Sequence, residues 1–266
     1  MRRKITVAGS GALSCAAALL LGERDLARVV VVGGDAGAAA DVAAAVAVSG
    51  ATVQAAAAAG WVEAAGSQVV VVDAAAADLA AIAGEVARRA PDAVVVVAGA
   101  GEAAACRALL AATGFPRRRV VGAGGIVAAA HLRALLADEL GLAPCDVSGM
   151  ALGGSHEDAF VASATVSAGG VPVDGRVDAA TLTERLRRTL APGPYARAAA
   201  VREVAESILL DRRRVLPCLA CCQGEYGLHG VFATVPVLLG AGGINQIVEV
   251  ALEPGEAEAL RRAAVS

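Results

Sequence analysis

Aromatic side chains make up only 2% of these 266 residues: one Trp, two Tyr and three Phe. A core therefore has to be assembled from Ala, Val and Leu, and with 57% hydrophobic residues there is enough material for one. An excess of basic charge is also missing. Twenty-three Lys and Arg face 26 Asp and Glu, for a net charge of −3. This excludes a broad basic field for nucleic acid or an anionic membrane surface. Long hydrophobic runs are absent as well. The valine runs at 29–32, 69–72 and 94–97 are four residues each, the size of buried strands and far short of the roughly 20 residues a membrane-spanning helix needs. The opening Met1-Arg2-Arg3-Lys4 imitates the basic start of a signal peptide, but Ile5-Thr6-Val7-Ala8 reads as a strand and the glycines after it interrupt any apolar segment. The expectation is a cytoplasmic protein acting on a small molecule.

Six cysteines are present. Cys15, Cys106 and Cys145 stand alone among apolar neighbours, while Cys218, Cys221 and Cys222 cluster. One C-x-x-C without a second ligand pair is weak support for zinc. Buried thiols in a strand are the expectation, with no metal.

The first half alternates strand and helix. Strands are expected at 5–8, 28–32, 69–73, 93–98 and 120–122, with helices at 12–21, 41–47, 79–89, 103–112 and 126–140. Unbroken valine runs imply strands buried on both faces, as in a parallel, doubly wound sheet. Past residue 146 the pattern changes. Alternation at 162–167 and 171–173 suggests antiparallel strands. Helices at 179–190 and 198–210, strands at 215–222, 230–234, 236–239 and 247–251, and a helix at 256–264 follow. This predicts an α/β lobe over 1–145 and an α+β lobe over 146–266.

Two short segments carry candidate chemistry. Gly9-Ser10-Gly11-Ala12-Leu13 lies between the first strand and the first helix. There Gly9 allows a tight turn and Gly11 lets the backbone approach a pyrophosphate at the helix N-terminus; an ordinary βα turn of small residues is the alternative. The third glycine of such a motif falls at Ser14. Asp35, just past the second strand, is the candidate for the adenosine ribose, or else a solvated turn residue. If Gly33 takes the ribose position, that contact is lost or a phosphorylated ribose is admitted. NAD and NADP both stay open. The second segment is Leu152-Gly153-Gly154-Ser155-His156-Glu157-Asp158, which holds one of three histidines.

The chain resembles the lactate/malate dehydrogenase family through several spaced motifs in order. Phe115-Pro116-Arg117-Arg118-Arg119-Val120-Val121-Gly122 is similar to the segment before that family's central helix, and 152–158 to its catalytic-histidine segment. Residues 211–218, 224–227 and 235–240 with Gly243 are similar to its C-terminal lobe. The resemblance implies a Rossmann-like doubly wound parallel sheet followed by an α+β lobe, a nicotinamide cofactor, and a homodimer or homotetramer. It assigns His156 as acid/base, with Glu157 or Asp158 as the nearby carboxylate.

Departures from the family pattern point the other way. Ala128 stands where the resemblance expects the Asp that orients the His, and His131 where it expects the substrate-gripping Arg. The mobile lid expected after 69–72 is replaced by a direct run from Asp73 to Asp78, and Ala98-Gly99-Ala100-Gly101 replaces an Asn-Pro turn. Two readings stay open: a divergent NAD(P)-dependent oxidoreductase using a substrate other than ordinary malate or lactate, and an inactive homologue kept for binding, assembly or regulation.

Overall fold

A computed structural model describes residues 3–50, 56–58, 60–154, 157–173 and 176–265, with the backbone alone for 56–58 and 265. In chain order the elements are β1 (Lys4–Ala8), α1 (Ala12–Gly22), β2 (Arg28–Val32), α2 (Ala36–Val48), β3 (Ala56–Ala58), β4 (Val69–Asp73), α3 (Leu79–Arg89), β5 (Val94–Ala98), α4 (Glu102–Thr113), β6 (Val120–Gly122) and α5 (Gly124–Leu140). They continue with β7 (Val147–Leu152), β8 (Phe160–Ala168), β9 (Val171–Pro172), α6 (Ala179–Thr189), α7 (Pro194–Leu209), β10 (Arg214–Gln223), β11 (His229–Gly240), β12 (Gly243–Ile247) and α8 (Pro254–Val265).

The valine runs become the centre of a nine-stranded sheet ordered β12-β11-β10-β6-β5-β4-β1-β2-β3. The six strands from the first half are mutually parallel. Their side chains are buried on both faces, with Val29–Val32, Val69–Val72 and Val94–Val97 at most 1% exposed, as continuous branched runs demand. Strand β10 pairs antiparallel to β6, and β11 and β12 extend the sheet, each antiparallel to its neighbour. One sheet therefore runs across residue 145. A second, three-stranded antiparallel sheet, β7-β8-β9, sits beside it and shares a separate core with α5 and α6 through Leu132, Leu136, Val161 and Leu186.

Sequence expectations change in detail, and strand β7 was not among those expected. Strand β3 was not expected, because Ala56–Ala58 lack the branched side chains that mark strands. The segments 230–234 and 236–239 form one strand, β11, with Pro236 opposite Pro217. The strand expected at 247–251 instead ends at Ile247. Residue 248 comes opposite Pro236, which accepts from Val248 N at 2.8 Å but has no N–H to return, so the ladder stops.

The clustered cysteines are strand residues. Cys218 and Cys222 face the core under α1 and α7, and Cys221 faces the opposite core under α3 and α4. Alternation along β10 thus puts Cys218 and Cys221 on opposite sides of the sheet, where they cannot share a metal ion. Burial raises the thiol pKa of Cys218, and that of Cys222 to about 12.

Candidate active site

Parallel doubly wound sheets bind ligands past the carboxyl ends of their strands, where the strand order reverses. Here the reversal lies between β1 and β4, so the loops after those strands frame the crevice. After β1, Gly9 takes φ +90°, a conformation that favours glycine. Gly11 is the N-cap of α1 and brings no side-chain hydrogen bond to it. The first amides of α1 therefore meet no side-chain cap, and a methyl group added at Gly11 would find its nearest neighbour, Asp73 Oδ2, at 3.8 Å. Ser14 closes the turn by donating to Ala8 O at 3.1 Å, in place of the third glycine. This turn fits a pyrophosphate held by backbone amides.

Asp35 is tied to the same turn. Its backbone N–H donates to Ser10 Oγ at 2.6 Å, and its Oδ1 caps α2 by accepting from Ala38 N at 2.8 Å. Asp35 is thus the N-cap of α2 and stands beside Ser10.

Two carboxylates at this edge escaped sequence reasoning. Asp73 ends β4, its Oδ1 accepts from Ala75 N at 2.9 Å, and it borders both Gly11 and Gly99. Glu102 opens α4 and reaches to the start of α5. Its Oε1 accepts from Ala123 N and Gly124 N, and its Oε2 from Gly124 N, all at 3.1 Å. Glycines at 122 and 124 leave room for this carboxyl group, since a methyl at either would lie 3.0 Å or less from a Glu102 carboxyl atom. Burial pushes the Glu102 pKa up to about 7, against the pull of the two amides and of Arg197. The signal available in the sequence was an acidic residue directly after the Gly99–Gly101 turn.

The segment expected to hold the acid/base histidine is described in part. His156 lies outside the described residues, as does Ser155. Glu157 is exposed and Asp158 half-buried. Gly153, at φ +128°, bridges to Thr234, with Gly153 N donating to Thr234 O at 3.1 Å and Thr234 N to Gly153 O at 2.5 Å. This fixes the start of the segment against β11. Ala128 is 5% exposed and packs in the apolar core of the smaller sheet. His131 Nε2 lies 2.7 Å from Thr189 Oγ1, whose own proton goes to Arg185 O at 2.8 Å. Thr189 can then only accept, so His131 carries its proton on Nε2 and links α5 to α6.

A parallel sheet with a glycine turn at its point of reversal, extended by antiparallel strands, defines the class of Rossmann-like doubly wound folds. The profile described as "lactate/malate dehydrogenase, alpha/beta C-terminal domain" matches residues 128–266. The chain belongs to the lactate/malate dehydrogenase family. It is 37% identical over 164 residues to a malate dehydrogenase of Salinibacter ruber, covering 58% of this chain and 52% of that protein. With a malate dehydrogenase of Thermomicrobium roseum the identity is 38% over 170 residues, covering 60% and 55%. The chain thus spans about half the length of these relatives. Among solved structures, lactate dehydrogenase from Cryptosporidium parvum superposes with a TM-score of 0.90 at 27% identity, covering 99% of this chain and 95% of that one. Malate dehydrogenase from Salinibacter ruber gives 0.88 at 28% identity, covering 98% and 94%. The Cryptosporidium parvum enzyme has also been solved with lactic acid and NAD, and that structure matches with a TM-score of 0.86 at 26% identity, covering 99% and 95%.

Proposed function

We propose that the chain is a divergent nicotinamide-dependent dehydrogenase whose substrate is a small hydroxy compound other than ordinary malate or lactate. The observation that carries this reading is the uncapped, glycine-lined start of α1 at the point where the strand order reverses. NAD, or NADP if Asp35 makes no ribose contact, lies with its pyrophosphate over Gly9–Gly11; residues Ser10, Ala12 and Leu13 complete the turn. The cofactor supplies a hydride acceptor. The chain's own task is to orient the substrate and take up the hydroxyl proton. His156 is the acid/base in this reading, with Glu157 or Asp158 as the carboxylate that orients it. Residues 1–145 hold the cofactor and 146–266 face the substrate. Assembly is as a homodimer or homotetramer through first-lobe helices, and the outer face of α2, where Ala40, Ala44, Ala47 and Val48 are exposed, is the candidate surface.

Calorimetric titration with NADH and NADPH tests the reading. Saturable binding of either supports it, and no binding at millimolar ligand removes it. Turnover of malate or lactate should be negligible, because the family's carboxylate clamp is replaced by a His131 bound to Thr189. A lost bidentate charged contact costs about 2–5 kcal/mol. If a substrate is found, His156→Ala should abolish turnover and leave cofactor affinity unchanged.

The second reading, an inactive homologue retained for binding or assembly, is favoured by Asp73, which sets a negative charge beside the anion-binding end of α1. Cofactor binding without turnover of any 2-hydroxy acid would select it.

A further inference from the structure

A cleft of about 390 Å³ opens at the opposite end of the sheet. Its floor includes Cys221 of β10. Leu219 is paired with Gly122, the last residue of β6, and β10 runs antiparallel to β6, so Cys221 lies toward the start of that strand. The cleft is therefore at the amino edge of the parallel strands, whereas Gly9–Gly11 and Asp35 are at the carboxyl edge. Its walls are the short turn Arg117–Arg119 on one side and the edge strand β12 on the other, with Ile244 and Ile247 as apolar surface and Gln246 as a polar group.

Three consecutive arginines occupy that turn, and two of them are engaged. The Arg117 guanidinium binds Glu225 with two hydrogen bonds, at 2.8 and 3.1 Å, and Cys221 O at 2.8 Å. Glu225 also accepts from Gln223 N at 2.6 Å, and its pKa is held down at about 2, first of all by Arg117. Its charge is thus compensated. Arg119 donates to Pro91 O at 2.8 Å and lies 5.9 Å from the centre of the Phe115 ring. Arg118 has no hydrogen-bond or ion-pair partner among the described residues, yet its backbone is held in place. Arg119 N closes the turn onto Pro116 O at 2.9 Å, and Gly243, at φ +92°, lets β12 press against the Arg118 carbonyl. A free guanidinium on a fixed base therefore faces a cavity within the roughly 300–1,000 Å³ range of small-molecule sites. Burial raises the pKa of Cys221, so the floor presents a thiol and not a thiolate.

We propose that this cleft is a second, non-covalent ligand site for a small metabolite bearing a carboxylate or phosphate. The oxyanion pairs with Arg118, the Gln246 amide accepts or donates a hydrogen bond, and the remainder lies on Ile244 and Ile247. Arginine suits either oxyanion, since its planar fork matches both geometries.

Calorimetric titration at constant ionic strength and neutral pH tests this, with citrate as the carboxylate probe and the phosphate monoester glycerol 3-phosphate as the phosphate probe. We expect saturable binding of one probe per chain. Arg118→Ala should weaken it about tenfold or more, the loss of a charge-assisted hydrogen bond. Gln246→Ala should weaken it less, and Arg107→Ala, an exposed site on α4, should leave it unchanged. Saturating NADH should not displace the probe, because the two sites lie at opposite edges. The proposal is overturned if neither probe binds saturably at millimolar concentration, if Arg118→Ala binds as the native chain does, or if NADH displaces the probe competitively. Probe binding and its loss in Arg118→Ala are read without NADH, so they stand or fall whether or not the crevice at Gly9–Gly11 binds a dinucleotide.

Discussion

Two acidic residues stand at the carboxyl edge of the parallel strands, Glu102 bound to the start of α5 and Asp73 beside Gly11. Glu102 holds a proton more tightly in the folded chain, to about pH 7, than a glutamate in an unfolded one, whose ordinary value is 4.5. Between these values the folded state binds more protons than the unfolded state. The stability it contributes is complete below about pH 4.5 and is lost as the pH rises through 7. The upper bound on that loss is about 3.5 kcal/mol, since one pKa unit corresponds to about 1.4 kcal/mol. Glu102→Gln should therefore raise the melting temperature at pH 8 and change it little at pH 5; an equal effect at both would contradict the buried-carboxyl explanation. Asp73 acts on the ligand instead of the fold. Its carboxylate stands beside Gly11, where a pyrophosphate would gather negative charge. Asp73→Asn should strengthen NADH binding several-fold, about 1 kcal/mol, with the gain shrinking at high salt as screening removes the repulsion. Unchanged affinity at low salt would place the dinucleotide elsewhere.

Helix α2 shows how an element can answer to two demands. It is nearly all alanine and valine, and only Ala39, Val42 and Val46 are buried. Its start depends on the Asp35 cap. Removing that cap in Asp35→Ala should cost about 1 kcal/mol of stability, within the usual range of 0.5–2. If Asp35 also binds ribose, NADH affinity falls as well, and Asp35→Asn, which caps equally well, separates the two effects by restoring stability alone. The parallel strands were legible in the sequence because Val29–Val32, Val69–Val72 and Val94–Val97 carry their burial in composition. The Gly9–Gly11 turn was legible because glycine meets a specific backbone need there. Strand β3 was hidden, since alanine favours no strand and pairing with β2 alone defines it. The carboxylates at Asp73 and Glu102 were hidden for a different reason. Each is an ordinary residue at the boundary between an element and a loop, and only the folding of distant glycines, Gly11 and Gly99 around one and Gly122 and Gly124 around the other, makes it part of a site.

At the scale of the molecule, helix α7 is the element both halves share. It comes from the second half of the chain yet packs on the face of the parallel sheet beside α1, with Ala198, Val201, Val204 and Ile208 in the same core as Val7, Val71 and Val96. Residues 1–145 alone would expose that face, so the halves should unfold in one cooperative transition despite the separate small sheet. Glu206 of α7 fastens the join. Its side chain is 3% exposed and meets Arg24 Nε at 2.5 Å, Arg212 Nη1 at 3.0 Å and Arg202 Nε at 3.9 Å. Arg24 follows α1, so this carboxylate couples the first half of the chain to the second. Removing it leaves three guanidiniums facing one another around a small void, although each keeps partial contact with water. Glu206→Ala should therefore cost about 2–4 kcal/mol, toward the lower side of what breaking a fully buried pair costs. Denaturant unfolding with an unchanged slope and a lower midpoint is the expected result. A second transition appearing in the variant would show that α7 and Glu206 hold together two units that otherwise unfold separately.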